Sequence, residues 1–423
     1  MLTTLLRKTV AKKKEPFLFK AYDNNVDFAA IPAEIGLYIH IPFCRTLCPY
    51  CPYNKTLYDK NRALAYQKAL LAELAIMQKH LQGKRITSIY IGGGTPTLML
   101  TELQQVLAWI RANLVFHGDV GIEVYPQDID KDLIAQIKDM GINLVSIGVQ
   151  TFNDQHLHFL GRRYSGNEAR RSIELIKAAD FDCVDIDIMF NLPNQTWEDI
   201  EHDICTCYSY AIEQLSIYPL ILFPLTALPR RVKQEKLRTF NSLQEYGLLR
   251  RIEGLSAQMQ YGKTSIWTYG KSNSKRYTSV TRESFVGFGV SATSHFDKYF
   301  YLNTFNVEAY ITRLATGRLP INLVNVMTPR EKMIFWLFWR CYDTVIDTRR
   351  FKELFGVDFS EEFPFIDRFL QSSGLARREG HRLKLTQTGS YLYHLVEKQY
   401  SLTYLNKMWS ACMENQWLEK FAL

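Results

Sequence analysis

Three of the eight cysteines stand within one short stretch, Cys44-Arg45-Thr46-Leu47-Cys48-Pro49-Tyr50-Cys51, in the pattern Cys-x3-Cys-x2-Cys. They follow directly on Leu37–Ile41, an apolar run that reads as a strand. A regular strand or helix cannot bring thiolates so closely spaced to one metal, but a loop leaving a strand end folds them around an iron–sulfur cube. Three thiolates hold three irons. The fourth iron is then open to a small molecule, which in this spacing is S-adenosylmethionine, chelating through its amino and carboxylate groups. Electron transfer from such a cluster cleaves the sulfonium to a 5′-deoxyadenosyl radical, chemistry that the cofactor supplies and the protein positions. Two blander readings of the same residues are a structural zinc site completed by His40, and three reduced thiols without metal. Zinc sites more often pair Cys-x2-Cys with a second pair far along the chain, and His40 sits where a strand residue faces away from the loop.

Positioning such a loop requires a strand to lead into it, and the pattern around it supplies several. Strands are expected at 37–41, 86–91, 120–124, 143–147, 183–188 and 214–218, with helices at 59–82, 101–115, 130–140, 166–179 and 196–211. Six βα units of this kind make a parallel sheet with helices outside, curled into a partial or complete barrel, whose active groups collect at the carboxyl ends of the strands. The second strand ends in Gly92-Gly93-Gly94-Thr95-Pro96. Glycines there let backbone amides approach a ligand, one βα unit after the cysteines. Glu123, Gln150 and Asp187 interrupt apolar strands, and buried polar groups of this kind need partners, whether neighbouring loops or a ligand's ribose and amino-acid groups. Arg162 follows the helical piece Asp154–Leu160 and reads as a surface charge or a carboxylate partner.

Beyond Tyr218 a Pro-rich apolar segment runs to Pro224, helix is expected over 240–260, and Gly287–Ser294 is a small-residue stretch suited to close approach of a flat ligand or another strand. From about 328 the pattern becomes helical, with helices at 329–341, 348–355 and 361–373, a hairpin at 375–385 turning at Gly380, and a helix over 386–411. That order reads as a winged-helix-like C-terminal domain, without a dense basic helix for nucleic acid, and so as a cover over the barrel. The expected division is an arm at 1–36, a barrel with its extension at 37–320 and a C-terminal domain at 321–423.

With 423 residues, 47% hydrophobic and 13% aromatic, the chain builds a large packed core. No apolar run reaches the ~18 residues of a membrane span. Met1–Lys14 lacks the apolar core of a secretory signal, and the cysteine pattern is not a disulfide framework, so a reducing cytoplasmic setting is expected. Cys183, Cys205, Cys207, Cys341 and Cys412 read as buried apolar residues. The net charge of +8 is modest, with Arg7, Lys8 and Lys12–Lys14 as the densest run.

Tyr-x-His-Ile-Pro-Phe-Cys-x3-Cys-x2-Cys, Gly-Gly-Gly-Thr-Pro, Ile-Gly-Val-Gln and Gly-x-Gly-Val-Ser-Ala together resemble the oxygen-independent coproporphyrinogen III oxidase family of radical S-adenosylmethionine proteins, which includes haem chaperones. The resemblance, from about Leu37 to Val396, implies a partial (β/α)6 TIM-like barrel and a [4Fe–4S] cluster on Cys44, Cys48 and Cys51. It implies S-adenosylmethionine contacts from Tyr38, Gly93, Gly94, Thr95, Glu123, Gln150, Arg162 and Asp187, with Tyr38, Glu123 and Arg162 at the reacting centre. A second S-adenosylmethionine would lie near Tyr50, Ala292 and Thr293. The partners implied are an anionic tetrapyrrole, met by a basic rim from Arg7, Lys12–Lys14, Arg230, Arg231, Lys275 and Arg276, and an electron donor such as flavodoxin or ferredoxin, in a monomer. The oxidase pattern continues Cys-x-Cys after the third ligand, whereas here Pro52 and Tyr53 follow Cys51. The chaperones' His-Asn-x2-Tyr-Trp is replaced by Asn273–Thr278. The family's other reactions, namely haem ring opening, methylation and cyclopropanation, stand beside decarboxylation. A haem carrier would need an axial ligand from His295, His381, His394, Cys341 or Cys412, of which His295 is expected nearest the pocket.

Overall fold

Strand β1 (Glu34–Ile41) lies in the middle of a long sheet in a computed structural model that describes residues 17–278 and 283–423. The expected basic run Arg7, Lys8 and Lys12–Lys14 falls outside the described residues. On one side of β1 come β2 (Arg85–Gly93), β3 (Val115–Val124), β4 (Leu144–Gln150), β5 (Cys183–Phe190) and β6 (Gln214–Pro219), each parallel to the last. Their central residues are Val, Ile and Leu with almost no exposed positions, the pattern of a parallel sheet covered on both faces. The helices between them, Lys60–Leu81, Leu100–Asn113, Lys131–Asp139, Gly166–Ala178 and Trp197–Ser209, end within two residues of the expected ranges. Asp59, Asp130, Ser165 and Thr196 start four of these helices by accepting backbone N–H groups of the first turn.

The sheet remains open, so the architecture is the expected partial barrel, but it extends further than six strands. A seventh parallel strand, β7 (Phe285–Phe288), flanks β1 on its other side. The antiparallel strands β8 (Thr293–Phe296), β9 (Tyr299–Asn303) and β10 (Ile321–Val326) continue from it. The Gly287–Ser294 stretch is thus largely a turn between strands. Residues 1–36 were expected to form an arm, yet Leu18–Ala21 is a strand pairing with β10 on one edge and with Lys420–Ala422 on the other. Four residues are too few to show a period. The division expected at 321 meets the first residue of β10.

Helices Pro329–Tyr342, Thr348–Phe355 and Pro364–Ser372 pack with a three-stranded sheet of Val345–Asp347, Arg382–Leu385 and Ala376–Glu379, the winged-helix order of elements. Trp336, Ile346, Phe351, Phe359, Phe363 and Leu383 form its core. Pro364 divides the helix expected at 361–373, and the helix expected at 386–411 is interrupted at Ser401–Leu405 by a π turn.

The turn after β7 is fastened from behind by Glu73 on the first helix. Its buried carboxylate accepts hydrogen bonds from Gly289 N at 2.8 Å, Tyr310 Oη at 2.6 Å and Asn303 Nδ2 at 2.7 Å. Burial nevertheless pushes its carboxyl up to about 7. Folded protein therefore keeps a proton that the unfolded chain, ionising near 4.5, has released. Stability from this group is full at low pH and falls as pH rises from about 4.5 to about 7. Urea unfolding at pH 5 and pH 8 should show Glu73→Gln gaining about 3 kcal/mol on the wild type across that interval. A constant difference between the two proteins would contradict the assignment.

Candidate active site

Beyond β1 the chain makes a two-residue strand, Phe43–Cys44, that pairs in parallel with Thr56–Leu57. This pairing closes Arg45–Lys55 into a loop at the carboxyl end of the central strand. Cys44 is buried, Cys48 and Cys51 are half-buried, and all three thiols line one large cavity. Burial pushes the Cys44 thiol up to about 11, and neighbouring Cys51 and Cys48 add to the rise against a hydrogen bond to Thr95. Cys51 is raised by burial too, opposed by Lys55, whose ammonium donates to the Cys51 carbonyl. Thiols so placed ionise only when a cation neutralises them, which is what an iron cluster does. His40 is already engaged: Nδ1 meets Tyr38 Oη at 2.8 Å and Nε2 meets the Asn54 carbonyl at 3.1 Å. Burial lowers it to about 4. It is a positioning group for the loop and not a fourth zinc ligand. Among the described residues no three His, Cys, Asp or Glu side chains converge at the distances of a single ion. A four-iron cube sets its thiolates wider apart than one zinc ion does.

The glycine loop lies against the cysteine loop by backbone pairing, with Gly94 N donating to Ile41 O at 2.6 Å and Thr95 N to Phe43 O at 2.7 Å. No side chain fits here. A Cβ on Gly94 would stand 2.6 Å from Phe43 O and 3.0 Å from Cys44 Sγ, and Gly93, at φ +116°, leaves its missing Cβ position to the His40 ring. Glu123 on β3 accepts from Gly93 N at 3.0 Å and from Tyr90 Oη at 2.6 Å, and burial raises its carboxyl. Gln150 ends β4 with φ +70°, a conformation that costs a non-glycine residue and occurs where a site holds it. Arg162 donates from Nη2 to Tyr50 Oη at 2.5 Å and stacks on Tyr125 with 5.1 Å to the ring centroid. Its Nε is buried without a partner, a donor left over for a ligand. Burial raises Asp187, and the negative charges of Asp185 and Glu123 raise it further.

The structure therefore brings Tyr38, Tyr50, Gly93, Gly94, Thr95, Glu123, Gln150, Arg162, Asp187 and Thr293 onto the cavity wall together with the three cysteines. Ala292 is not on that wall; it is buried beneath the turn, in line with the close approach of Gly287. His295 is also off the wall, packed on Phe335 at 4.4 Å and lowered to about 4 by burial. Of the expected basic rim, Arg276 lines the cavity. Lys275 is held by Asp119 at 2.6 Å and Asp182 at 2.8 Å near the amino ends of β3 and β5, and Arg231 by Glu235. The sequence reading missed Asp185, whose carboxylate takes Ser216 Oγ at 3.0 Å and shares Ser146 Oγ with Asp187 at 3.3 and 3.2 Å. Ser146 Oγ thus stands between the two carboxyls, and burial raises both of them. Ser146 and Ser216 on the two neighbouring strands were the available signal.

The cavity measures about 1990 Å³, against roughly 300–1,000 Å³ for an ordinary small-molecule site. Its far wall comes from helices Pro329–Tyr342 and Gln387–Tyr400, through Trp339, Tyr342, Tyr393 and Glu397. There is room for a nucleoside cofactor and a second large molecule.

Comparison with known proteins agrees with this geometry. The description "Radical SAM superfamily" matches residues 38–204. Heme chaperone HemW of Bacillus subtilis is 28% identical over 84% of this chain and 96% of its own length. Heme chaperone HemW of Buchnera aphidicola is 33% identical over 61% of this chain and 69% of its own length. Oxygen-independent coproporphyrinogen III oxidase of Pseudomonas aeruginosa is 26% identical, covering 86% of this chain and 84% of the relative. The solved structure of coproporphyrinogen III oxidase (HemN) from Escherichia coli superimposes with a TM-score of 0.78 at 21% identity, covering 91% of this chain and 95% of that one, which shows a common fold.

In metal-free protein Cys44 should be alkylated the slowest of the three loop thiols, because it alone is buried. Gly94→Ala forces a methyl against Cys44 Sγ and should bring its labelling rate, read by peptide mass spectrometry, up to that of Cys48. An unchanged rate would show that the glycine loop does not hold Cys44.

Proposed function

Because the chain belongs to the radical S-adenosylmethionine family that contains the oxygen-independent coproporphyrinogen III oxidases and heme chaperones, we propose that it is an enzyme acting on a porphyrin-type substrate. Its cofactors are a [4Fe–4S] cluster and S-adenosylmethionine. Cys44, Cys48 and Cys51 are the cluster ligands in this reading. When bound, the two cofactors supply a 5′-deoxyadenosyl radical for hydrogen abstraction, after one electron arrives from a donor such as flavodoxin or ferredoxin. The observation that carries the reading is the continuity of the three thiols, the glycine loop and the strand-end polar groups on one wall of a cavity twice the ordinary size.

The side chains divide the work by charge and by hydrogen-bond polarity. Arg162, with Nε unsatisfied, holds a carboxylate of the cofactor, and the glycine loop, bare of side chains, lets its methionine part lie close to the backbone. Glu123, Gln150 and Asp187 take the remaining amino and hydroxyl groups at the strand ends. Asp187 shares the Ser146 hydroxyl with Asp185 and keeps its other acceptor positions for the cofactor. Arg349 on the cover and Arg276 on the barrel line the cavity without an ion-pair partner among the described residues, and are cations available to substrate carboxylates. In a decarboxylation, hydrogen leaves the propionate chain, carbon dioxide departs, and one electron passes to an acceptor. Tyr53 stands where the oxidase pattern has its further cysteine, so that acceptor is not a thiol of this loop. Carriage of haem is disfavoured at His295, which is buried away from the cavity, whereas His381 and Cys341 of the expected axial ligands line it. No helix among the described residues is long and apolar enough to cross a membrane.

Anaerobic reconstitution should yield about four iron and four sulfide per chain, and replacing Cys44, Cys48 or Cys51 singly by Ala should abolish reductive cleavage of S-adenosylmethionine while leaving the fold intact. An active cluster in Cys48→Ala would contradict the ligand assignment. With coproporphyrinogen III and excess S-adenosylmethionine, mass spectrometry should detect two successive losses of carbon dioxide and two hydrogens. Methyl transfer, ring opening, or no product despite normal cofactor cleavage would assign the enzyme a different reaction.

A further inference from the structure

Three aromatic side chains from distant parts of the chain meet on the cavity wall. Tyr53 comes from the cysteine loop, Phe223 from the Pro-rich segment after β6, and Trp409 from the helix Asn406–Glu414. Trp409 lies 6.1 Å from Tyr53 and 6.2 Å from Phe223 between ring centroids, the latter pair inclined by only 28°. All three line the cavity, and Tyr53 is 57% exposed within it. Rings that served only to fill a core would be covered. The backbone presenting Trp409 is also unusual. Ser401–Leu405 is wound as a π turn, which shifts the phase of the residues that follow, and such turns concentrate at functional sites. Asn406 then ties the shifted helix down by accepting the Leu225 N–H at 3.0 Å, two residues beyond Phe223.

We propose that Tyr53, Phe223 and Trp409 form a stacking wall that holds the macrocycle of a tetrapyrrole against the cysteine loop, an assignment that rests on the porphyrin-type reading above. The macrocycle lays its faces against rings that already have exposed area, displacing water from apolar surface on both partners. In this arrangement Tyr53 acts through its ring and not through its hydroxyl. Trp409 comes from the C-terminal helix and Tyr53 and Phe223 from loops of the barrel, so the macrocycle contacts both at once.

Coproporphyrin III, whose Soret band reports its surroundings, is the probe for an anaerobic absorbance titration of the reconstituted full-length protein. Trp409→Ala should weaken its binding by about tenfold or more, whereas Trp409→Phe should keep most of the affinity. Tyr53→Ala should weaken it likewise, and Tyr53→Phe should not. Iron content and affinity for S-adenosylmethionine measured on the same samples report the fold. Unchanged coproporphyrin affinity in Trp409→Ala, or a loss matched by equal loss of S-adenosylmethionine binding in both Trp409 variants, would overturn the wall. No binding of coproporphyrin III by the wild type would overturn the wall, whereas the tetrapyrrole reading itself stands or falls on turnover of coproporphyrinogen III.

Discussion

Two backbone hydrogen bonds, from Gly94 to Ile41 and from Thr95 to Phe43, carry the pairing of β1 and β2 past the ends of the strands. They tie the loop that bears the thiols to the loop that has no side chains. Everything polar in the cavity is arranged around that seam: Glu123 receives the Gly93 amide, His40 fills the space that Gly93 leaves empty, and Tyr38 orients His40. A parallel sheet permits this because adjacent strands end at the same level, so consecutive βα loops are neighbours.

The electrostatic character of the site follows from the same seam. Carboxylates at Glu123, Asp185 and Asp187 enter the cavity from the strands, and burial raises each of them. Tyr90, Ser146 and Ser216 satisfy them by hydrogen bonds and without full charges. Arg162 is the cation that faces them from the wall and is itself covered by the rings of Tyr50 and Tyr125. A cofactor that brings its own positive sulfonium and ammonium groups suits such a lining.

Much of this was legible in the sequence where a pattern repeats or a residue type is costly. The helices were legible because most are bounded by a capping side chain and run long enough to show their period. Cys44, Cys48, Cys51 and the glycines were legible because nothing about an ordinary turn requires them. Leu18–Ala21 and β7 were not, since each has only four residues and is fixed by partners far along the chain. Asp185 looked like any strand polar group, and its importance arises from Ser146 and Ser216 on neighbouring strands. Trp409 could not be assigned a face, because the π turn before it breaks the helical count from which a face is read. Lys275 was expected on the basic rim, and only the fold decides that it serves Asp119 and Asp182 away from the cavity.

The pairing of Leu18–Ala21 with Lys420–Ala422 has a bearing on biogenesis. Phe19 lies opposite Phe421, so one edge of the sheet is assembled from segments very far apart along the chain, the second made long after the first. Until the last of these residues leaves the ribosome, the early strand has one open side, and open strand edges invite pairing with other chains. Closure over so long a separation is slow relative to the local βα units. The barrel's parallel strands can therefore assemble first, leaving the edge that joins the two segments as the late step and the one most exposed to error during synthesis.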